Sequence, residues 1–544
     1  LTSEEVEKYI NQIAFSGAQE FLEKYKDESA IIGKFGLGFY SAFMVAEKVE
    51  LISLSHKEGS TACKWSCDGS PNYQLEDAEK KERGTDILLY IDEENKEYLE
   101  EGRVQDLLNK YCKFLPVPIQ FGTSERIEKK GEGDDAKEET IVEPNIVNNA
   151  SPAWTKAPNE LTDEDYKSFY RELYPMSYEE PLFWIHLNVD FPFNLTGILY
   201  FPRLKNNVEV KKDRISLYCN QVFVTDQVEE IVPEFLMLLH GIIDSPDIPL
   251  NVSRSYLQSD PNVKKISNYI TKKVASKLDE MFKNQRGEFE EKWDDIGIFI
   301  KYGMLSDDKF YDKVNSFCLL QDTENKFYTF DEFREKAKEN QTDKNDRLVA
   351  LYTSHPEDQR TYISDAQSAG YSILKMHTII DTHFLSFLES KLDKTTFKRV
   401  DADVTDRLIE KDDIPESVLT EDQEKELQAV FSSILQENSG ANIEIKALSP
   451  EGMPVMITKP EMMRRMREMQ AYNNMGLSNM PEMYNLVVNA NHPKISGILE
   501  STEESTKQER VKQLYDLALL SQNMLKGEAL SDFIKRSLDM MDGD

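Results

Sequence analysis

The sequence predicts an α+β protein of several domains. Its 544 residues point to about three to four domains on length alone. Strand-like and helix-like runs follow one another through most of the chain, and its end is helical. One stretch, Glu125 to Glu139, is nearly all charged or small and divides it. The expected division is a first α/β domain over 1–124 and a charged linker over 125–140. A middle α/β domain follows over 141–404, in a larger part (141–290) and a smaller part (291–404), and then a mainly helical domain over 405–544.

Hydrophobic residues make up 40%, enough for ordinary cores, while 30% are charged and the formal net charge is −34. Such a surface repels nucleic acid and anionic membrane, so neither is expected as a partner. No apolar run reaches the ~18 residues of a membrane span. The five cysteines are scattered; only Cys63 and Cys67 lie close, and no second pair or histidine cluster completes a zinc site. Free thiols in a reducing, cytoplasmic setting are the expectation, with no metal ligands on the protein. Leu1 stands where a Met would begin a chain, so the sequence is expected to start inside a longer protein, with any targeting peptide hidden.

The first 28 residues read as helical. Thr2-Ser3-Glu4-Glu5 reads as an N-terminal cap with acids in the first turn, and Ile10, Ile13 and Ala14 share a face. The apolar run Phe39 to Ala46 has helical character. Val49–Ser53 and Asp86–Ile91 read as strands, Val104–Phe114 as a helix, and Pro116–Ile119 as an extended exit. Glu125 to Glu139 lacks the apolar residues to build a core and reads as flexible. In Phe183–Val189 the apolar positions alternate, a strand with two distinct faces, and Leu195–Phe201 is its partner. Ile215–Tyr218 and Val222–Thr225 flank Cys219-Asn220-Gln221, a hairpin signal. Val228–His240 reads as an amphipathic helix. After Pro261, the spacing of Val263, Ile266, Ile270, Val274 and Leu278 marks a long helix. Strand Leu348–Tyr352, helix 356–369 closed by Gly370, and strand Tyr371–Met376 form a βαβ unit. The end of the chain, from Val511 to Met541, reads as two amphipathic helices with a turn at Gly527. A helical hairpin this apolar needs a partner.

Three stretches carry chemistry. The first is Gly33-Lys34-Phe35-Gly36-Leu37-Gly38-Phe39-Tyr40-Ser41-Ala42-Phe43. A glycine-rich loop lets backbone N–H groups approach an anion, and a following helix adds its positive end. That makes a phosphate cradle, and the same residues would also serve as a tight turn. It is neither a P-loop, since Lys34 precedes two of the glycines, nor the dinucleotide fingerprint. The second is Asp247-Ile248-Pro249-Leu250-Asn251-Val252-Ser253-Arg254-Ser255-Tyr256-Leu257-Gln258. An arginine in a loop is usually a solvated charge; as a guanidinium it also offers bidentate hydrogen bonds to phosphoryl oxygens. The third is Pro460 to Met469, with four Met in ten residues. Met462, Met466 and Met469 share a helical face, which fits core packing or an adaptable contact surface.

The glycine string resembles the second glycine box of the heat-shock-protein-90 family, in the superfamily of gyrase B, histidine kinases and MutL. Ile13-Ala14-Phe15-Ser16-Gly17 resembles the start of that family's ATP lid, with Phe15 where most relatives have Lys. Arg83-Gly84-Thr85-Asp86 resembles its third box, and Asp247–Gln258 its catalytic loop, with Ser255 in place of the usual Glu. The resemblance runs from Leu1 to about Leu538. It implies a partial Bergerat-type ATP domain, a middle domain and a C-terminal dimerisation domain. Gly33 to Phe39, Ser16 and Thr85 would bind ATP with Mg²⁺, and Thr85 would lie near the adenine. Arg254 would reach the γ-phosphate, with Asn251 and Gln258 beside it. Met462, Met466, Met469 and Trp154, the last in a segment near the start of the family's middle domain, would contact clients. The short linker and the ending Asp539–Asp544 resemble the bacterial branch, so tetratricopeptide co-chaperones are not expected. Two further boxes, with the general-base Glu and the adenine-reading Asp, do not occur in the sequence. The expected function is an ATP-dependent, homodimeric chaperone for partly folded proteins. The alternative is a nucleotide-independent holdase or dimer scaffold. A gyrase-like enzyme is disfavoured by the charge and by Asn251-x-x-Arg254, and a histidine kinase by the two domains that follow.

Overall fold

A computed structural model describes residues 1–12, 38–130, 137–203, 215–228, 232–248, 261–411, 415–435, 441–472 and 483–541. The chain forms two compact units, Leu1–Arg203 with Glu209–Lys273, and Leu204–Val208 with Val274–Asp544.

In the first unit, helix α1 (Ser3–Tyr9) opens with the expected cap: Thr2 and Glu5 form a reciprocal capping box. Strands β1 (Ala46–Leu54), β2 (Ala62–Cys67), β3 (Tyr73–Ala78) and β4 (Gly84–Ile91) make an antiparallel sheet in the order β3-β2-β1-β4. Val6, Val49, Leu51, Cys63 and Trp65 form its core. The run before β1 is a 3₁₀ segment, Gly38–Met44, rather than an α-helix. It is only seven residues long because the chain enters β1 at Ala46. Helix α2 (Glu101–Tyr111) leads to the first departure from expectation. The charged stretch is not a structureless linker. Strands β5 (Gln120–Lys130) and β6 (Lys137–Ile146) pair antiparallel from Gln120↔Ile146 to Lys130↔Lys137. Backbone hydrogen bonds form this ladder, so it needs no apolar side chains.

Helix α3 (Asp163–Leu173) packs on a five-stranded sheet of β7 (Phe183–Val189), β8 (Leu195–Phe201), β9 (Ile215–Cys219), β10 (Val222–Thr225) and β11 (His240–Asp244), ordered β10-β9-β11-β8-β7. The alternation in β7 holds: Phe183, Ile185 and Leu187 are buried, while Trp184, His186 and Asn188 are not. β9 and β10 are joined by Asn220-Gln221, both with positive φ (49° and 64°), the backbone of a type I′ turn. β8 and β11 meet at two glycines; a Cβ on Gly241, at φ +136°, would strike the Ile198 carbonyl oxygen. The helix expected over Val228–His240 is instead a 3₁₀ turn, Glu234–Leu238, followed by β11. Pro233 takes an extended ψ of 148° at its start and has no N–H to extend a helix backwards. Helix α4 (Pro261–Asn284) buries Val263, Ile266, Ile270, Val274 and Leu278, as their spacing predicts.

In the second unit, β12 (Leu319–Gln321) and β13 (Phe327–Thr329) form a hairpin. The βαβ unit follows. β14 (Leu348–Thr353), helix α5 (Arg360–Ser368), β15 (Ile373–Lys375), helix α6 (Asp381–Lys391) and β16 (Thr395–Arg399) build a parallel sheet ordered β15-β14-β16. Gly370, just beyond α5, has φ +80°, the left-handed stop expected of it. Helix α7 (Glu421–Ile434) and strands β17 (Ala441–Lys446), β18 (Val455–Thr458) and β19 (Tyr484–Asn489) share a core with the C-terminal helices. Helix α8 (Glu461–Tyr472) lies between β18 and β19 in sequence. Helices α9 (Glu504–Ser521) and α10 (Gly527–Met541) close the chain.

Candidate functional site

The nucleotide residues read from the sequence fall mostly on stretches beyond description. Ser16, Gly33, Lys34, Phe35, Gly36, Leu37, Asn251, Arg254 and Gln258 all lie outside the described residues. Two ends of that constellation are placed. Gly38 opens the 3₁₀ segment and its carbonyl accepts from Ser41 Oγ at 2.6 Å. Phe39 turns its ring edge-on to Trp65, 5.7 Å between centroids, so this side chain anchors the segment to the sheet core. The Tyr40 hydroxyl donates to the Ile10 carbonyl. Thr85 stands on β4 opposite Ser53, and their hydroxyl oxygens are 2.8 Å apart. β4 is an edge strand, and Ile87, Leu88, Leu89 and Tyr90 are all exposed.

The loop expected to hold Arg254 follows β11, whose end is tightly tied. Asp244 is buried; its Oδ2 accepts from Trp154 Nε1 at 3.1 Å and from the Gln221 backbone N–H at 2.9 Å. Burial pushes the carboxyl pKa of Asp244 up against the pull of those donors. Ser245 Oγ donates to the Asn194 carbonyl at 2.6 Å, and the Asn194 N–H donates to Asp247 at 2.6 Å.

Trp154 therefore corrects an expectation. It is 1% exposed, enclosed by Phe114, Phe169 and Tyr218, and its indole N–H is engaged by Asp244. A large ring with its polar atom satisfied internally is core, and no client can touch it there.

On helix α8 the described methionine side chains stand at the surface. Met462 is 74% exposed and Met466 47%; the side chain of Met469 lies outside the described residues. The arginines between them point inward, with Arg464 and Arg465 side chains only 8% and 12% exposed. Glu461 Oε1 accepts from Arg464, Arg465 and the Tyr352 hydroxyl, each at 2.6 Å, and Oε2 from the Arg399 backbone N–H at 3.0 Å. Arg465 reaches on to Glu389 of α6 at 2.7 Å. Burial raises the Glu461 pKa, but the two guanidiniums outweigh it and leave the carboxyl below its usual range. Sequence reading found the methionines and not this network, because its partners come from β14, β16 and α6.

Leu517, Leu520, Ile534 and Leu538 of α9 and α10 are exposed, while Val511, Ala518 and Phe533 are buried. The hairpin thus keeps an apolar outer face. Among the described residues no group of three or more His, Cys, Asp or Glu is placed to hold a metal. No helix among them is long and apolar enough to cross a membrane. All five cysteines are free thiols.

Comparison with known proteins fits this assembly of parts. The family model described as "Hsp90 protein" matches residues 125–543. A chaperone protein HtpG of Bacteroides fragilis is 51% identical, covering 99% of this chain and 88% of its own length. Those of Bacteroides thetaiotaomicron and Porphyromonas gingivalis are 50% and 49% identical over the same shares. With a family model over most of the chain and half-identical relatives over nearly all of it, the chain belongs to the Hsp90 family, in its bacterial HtpG form.

Proposed function

We propose that this protein is a homodimeric cytoplasmic chaperone that holds partly folded clients and is cycled by ATP with Mg²⁺. The observation that carries the reading is helix α8, which exposes Met462 and Met466 while burying its arginines. Flexible thioethers on a fixed support conform to many apolar partners. The outer face of α9 and α10 suits a second copy of the chain, giving a clamp. The names of the HtpG relatives support the same reading.

The chemistry of Thr85 and Gly38 suits the group that the reading assigns to them. Thr85 is an exposed residue whose hydroxyl, a donor and acceptor suited to a purine edge, is paired with that of Ser53. Among the described residues, nothing lies within 4 Å of where a Cβ on Gly38 would stand. Gly33 to Phe39 would then offer N–H groups to the phosphates, with Ser16 on the lid. Arg254, with Asn251 and Gln258, would offer its guanidinium to the terminal phosphoryl. ATP held by these residues would supply the phosphoanhydride that the proposed cycle cleaves.

A nucleotide-independent holdase is the second reading. It is favoured by the location of α8, α9 and α10 in a unit that carries none of the assigned nucleotide residues. Suppression of client aggregation, measured with and without Mg·ATP in the wild type and Arg254→Ala, separates the two. An ATP response that Arg254→Ala abolishes supports the cycle. Equal suppression in all four conditions supports the holdase, and no suppression in any refutes both.

A further inference from the structure

Helix α8 sets three thioethers side by side in water. Met462 is 74% exposed, Met463 44% and Met466 47%. Met462 and Met463 stand four and three residues before Met466, so both are its neighbours on the helix surface. Other methionines are placed differently. Met281, Met304 and Met376 are buried. Met44, at the end of the 3₁₀ segment, and Met176, beyond α3, are exposed, with no second methionine near either in sequence. An exposed thioether is open to oxygen transfer from a hydroperoxide. A lone pair on Sδ attacks the outer peroxide oxygen, the S–O bond forms and the O–O bond breaks. The proton of the attacked oxygen passes to the departing alkoxide or hydroxide, which leaves as alcohol or water. Sulfur gives up two electrons and the peroxide takes them.

The thiols of the chain are poorly placed to take the oxidant first. Cys63, Cys219 and Cys318 are buried. Burial pushes the Cys318 thiol up to about 12 and raises that of Cys112 as well, so neither carries much of the thiolate that peroxides attack. Cys67 Sγ lies among the backbone groups of Gly69, Ser70 and Asn72. What oxidation then changes depends on how α8 is held. Its seat is the set of contacts joining Glu461, Arg464 and Arg465 to Tyr352 and Glu389. A sulfoxide puts a strong dipole and a hydrogen-bond acceptor on each methionine and makes it polar. The apolar surface offered to a partner shrinks, while the buried charges still hold the helix in place.

We propose that Met462, Met463 and Met466 form an oxidation-sensitive site, at which a hydroperoxide turns the client-holding face polar and releases clients while the fold persists. This rests on the chaperone reading above. The test treats the full chain with hydrogen peroxide at a dose that leaves Met281, Met304 and Met376 unmodified by peptide mass mapping. The protein concentration that halves the aggregation of a heat-unfolded client is measured before and after. Wild type, Met462→Leu/Met463→Leu/Met466→Leu and Met44→Leu/Met176→Leu are each compared with their own untreated form; leucine keeps apolar bulk and has no sulfur to oxidise. Mapping should find one added oxygen on each methionine of the α8 patch. The half-suppression concentration should rise roughly tenfold or more in wild type and in Met44→Leu/Met176→Leu, and less than about twofold in the triple variant. The urea midpoint of the treated wild type should not move, and methionine sulfoxide reductases with a dithiol should restore its suppression. The proposal is overturned by an equal rise in the triple variant, by protection from the Met44 and Met176 substitutions instead, or by a urea midpoint that falls with the loss. Methionines on α8 that resist oxidation until the buried ones react overturn it too. No suppression by the untreated wild type refutes the chaperone reading and this switch with it, whereas suppression that oxidation of α8 leaves unchanged overturns the switch alone.

Discussion

Replacing Met462 and Met466 together by Gln separates a contact surface from a core. Gln matches Met in length and in helix propensity, so the helix itself is little perturbed. Were these side chains core, their loss would cost about 2–5 kcal/mol each. They are 74% and 47% exposed, so the expected change in folding stability is within about 0.5 kcal/mol per site. Client binding should respond very differently. Burying a whole Met side chain is worth about 1.5–3 kcal/mol, and the open fractions of the two together scale this to about 2–3.5 kcal/mol. That corresponds to a weakening of roughly 30- to 400-fold if a client covers both completely. Urea unfolding gives the first quantity. The concentration of protein that halves the aggregation of a heat-unfolded client gives the second. A stability loss above about 2 kcal/mol would place the methionines in the core and sink the reasoning. So would an unchanged half-suppression concentration. Glu461→Ala is the contrasting variant: it leaves Arg464 and Arg465 without their shared carboxylate, and a loss of about 3–5 kcal/mol is expected.

Trp154→Ala should cost about 3–5 kcal/mol in denaturant unfolding, since it opens a cavity and removes a donor from buried Asp244; a neutral result would return Trp154 to the surface. Gly241→Ala combines a φ of +136° with a clash on the Ile198 carbonyl, so a loss beyond the about 1–3 kcal/mol of backbone strain alone is expected. Its thermal midpoint and soluble yield report that. Glu50 has its carboxyl held down to about 2 by hydrogen bonds from Lys48 and Lys64, with the Tyr90 hydroxyl adding a third. A depressed folded-state pKa gives stability that is fully present above the unfolded value of about 4.3 and is lost as pH falls toward the folded one. Acid unfolding of Glu50→Gln should therefore be flatter than the wild type over that interval, and superimposable slopes would discount these contacts.

Local patterns were legible where local physics decides the structure. The alternation in Phe183–Val189, the spacing of apolar residues after Pro261 and the left-handed stop at Gly370 each follow from backbone geometry and one buried face. The pairing of Gln120–Lys130 with Lys137–Ile146 was not legible, because a ladder of backbone hydrogen bonds leaves no mark in charged side chains. The helix expected over Val228–His240 overlooked Pro233 and the strand that His240 begins. Of the candidate site, the glycine string, Thr85 and Arg254 were legible as types of chemistry. Whether they meet in one site is decided by the fold, which spacing does not encode. Trp154 was misplaced because its neighbours, Phe114, Phe169, Tyr218 and Asp244, are scattered along the sequence and meet only in the core.

Helix α8 shows why a hydrophobic stripe does not by itself reveal which face is buried. The stripe tells which residues stand together; the partners available on the adjoining elements decide which side turns in. Here Glu389, Tyr352 and the Arg399 backbone offer acceptors and donors that Glu461, Arg464 and Arg465 engage. Breaking such a closed set of buried charges by turning the helix would strand several of them at once, a larger cost than leaving methionines in water. The polar face therefore wins the interior. Under the proposed chaperone reading, the consequence is functional. A helix seated by its charges does not depend on its apolar residues for position, so those residues are available to partners of differing shape while the support stays fixed. An apolar seat would have made the same methionines answer to the core first, and the surface would lose either its adaptability or its hold.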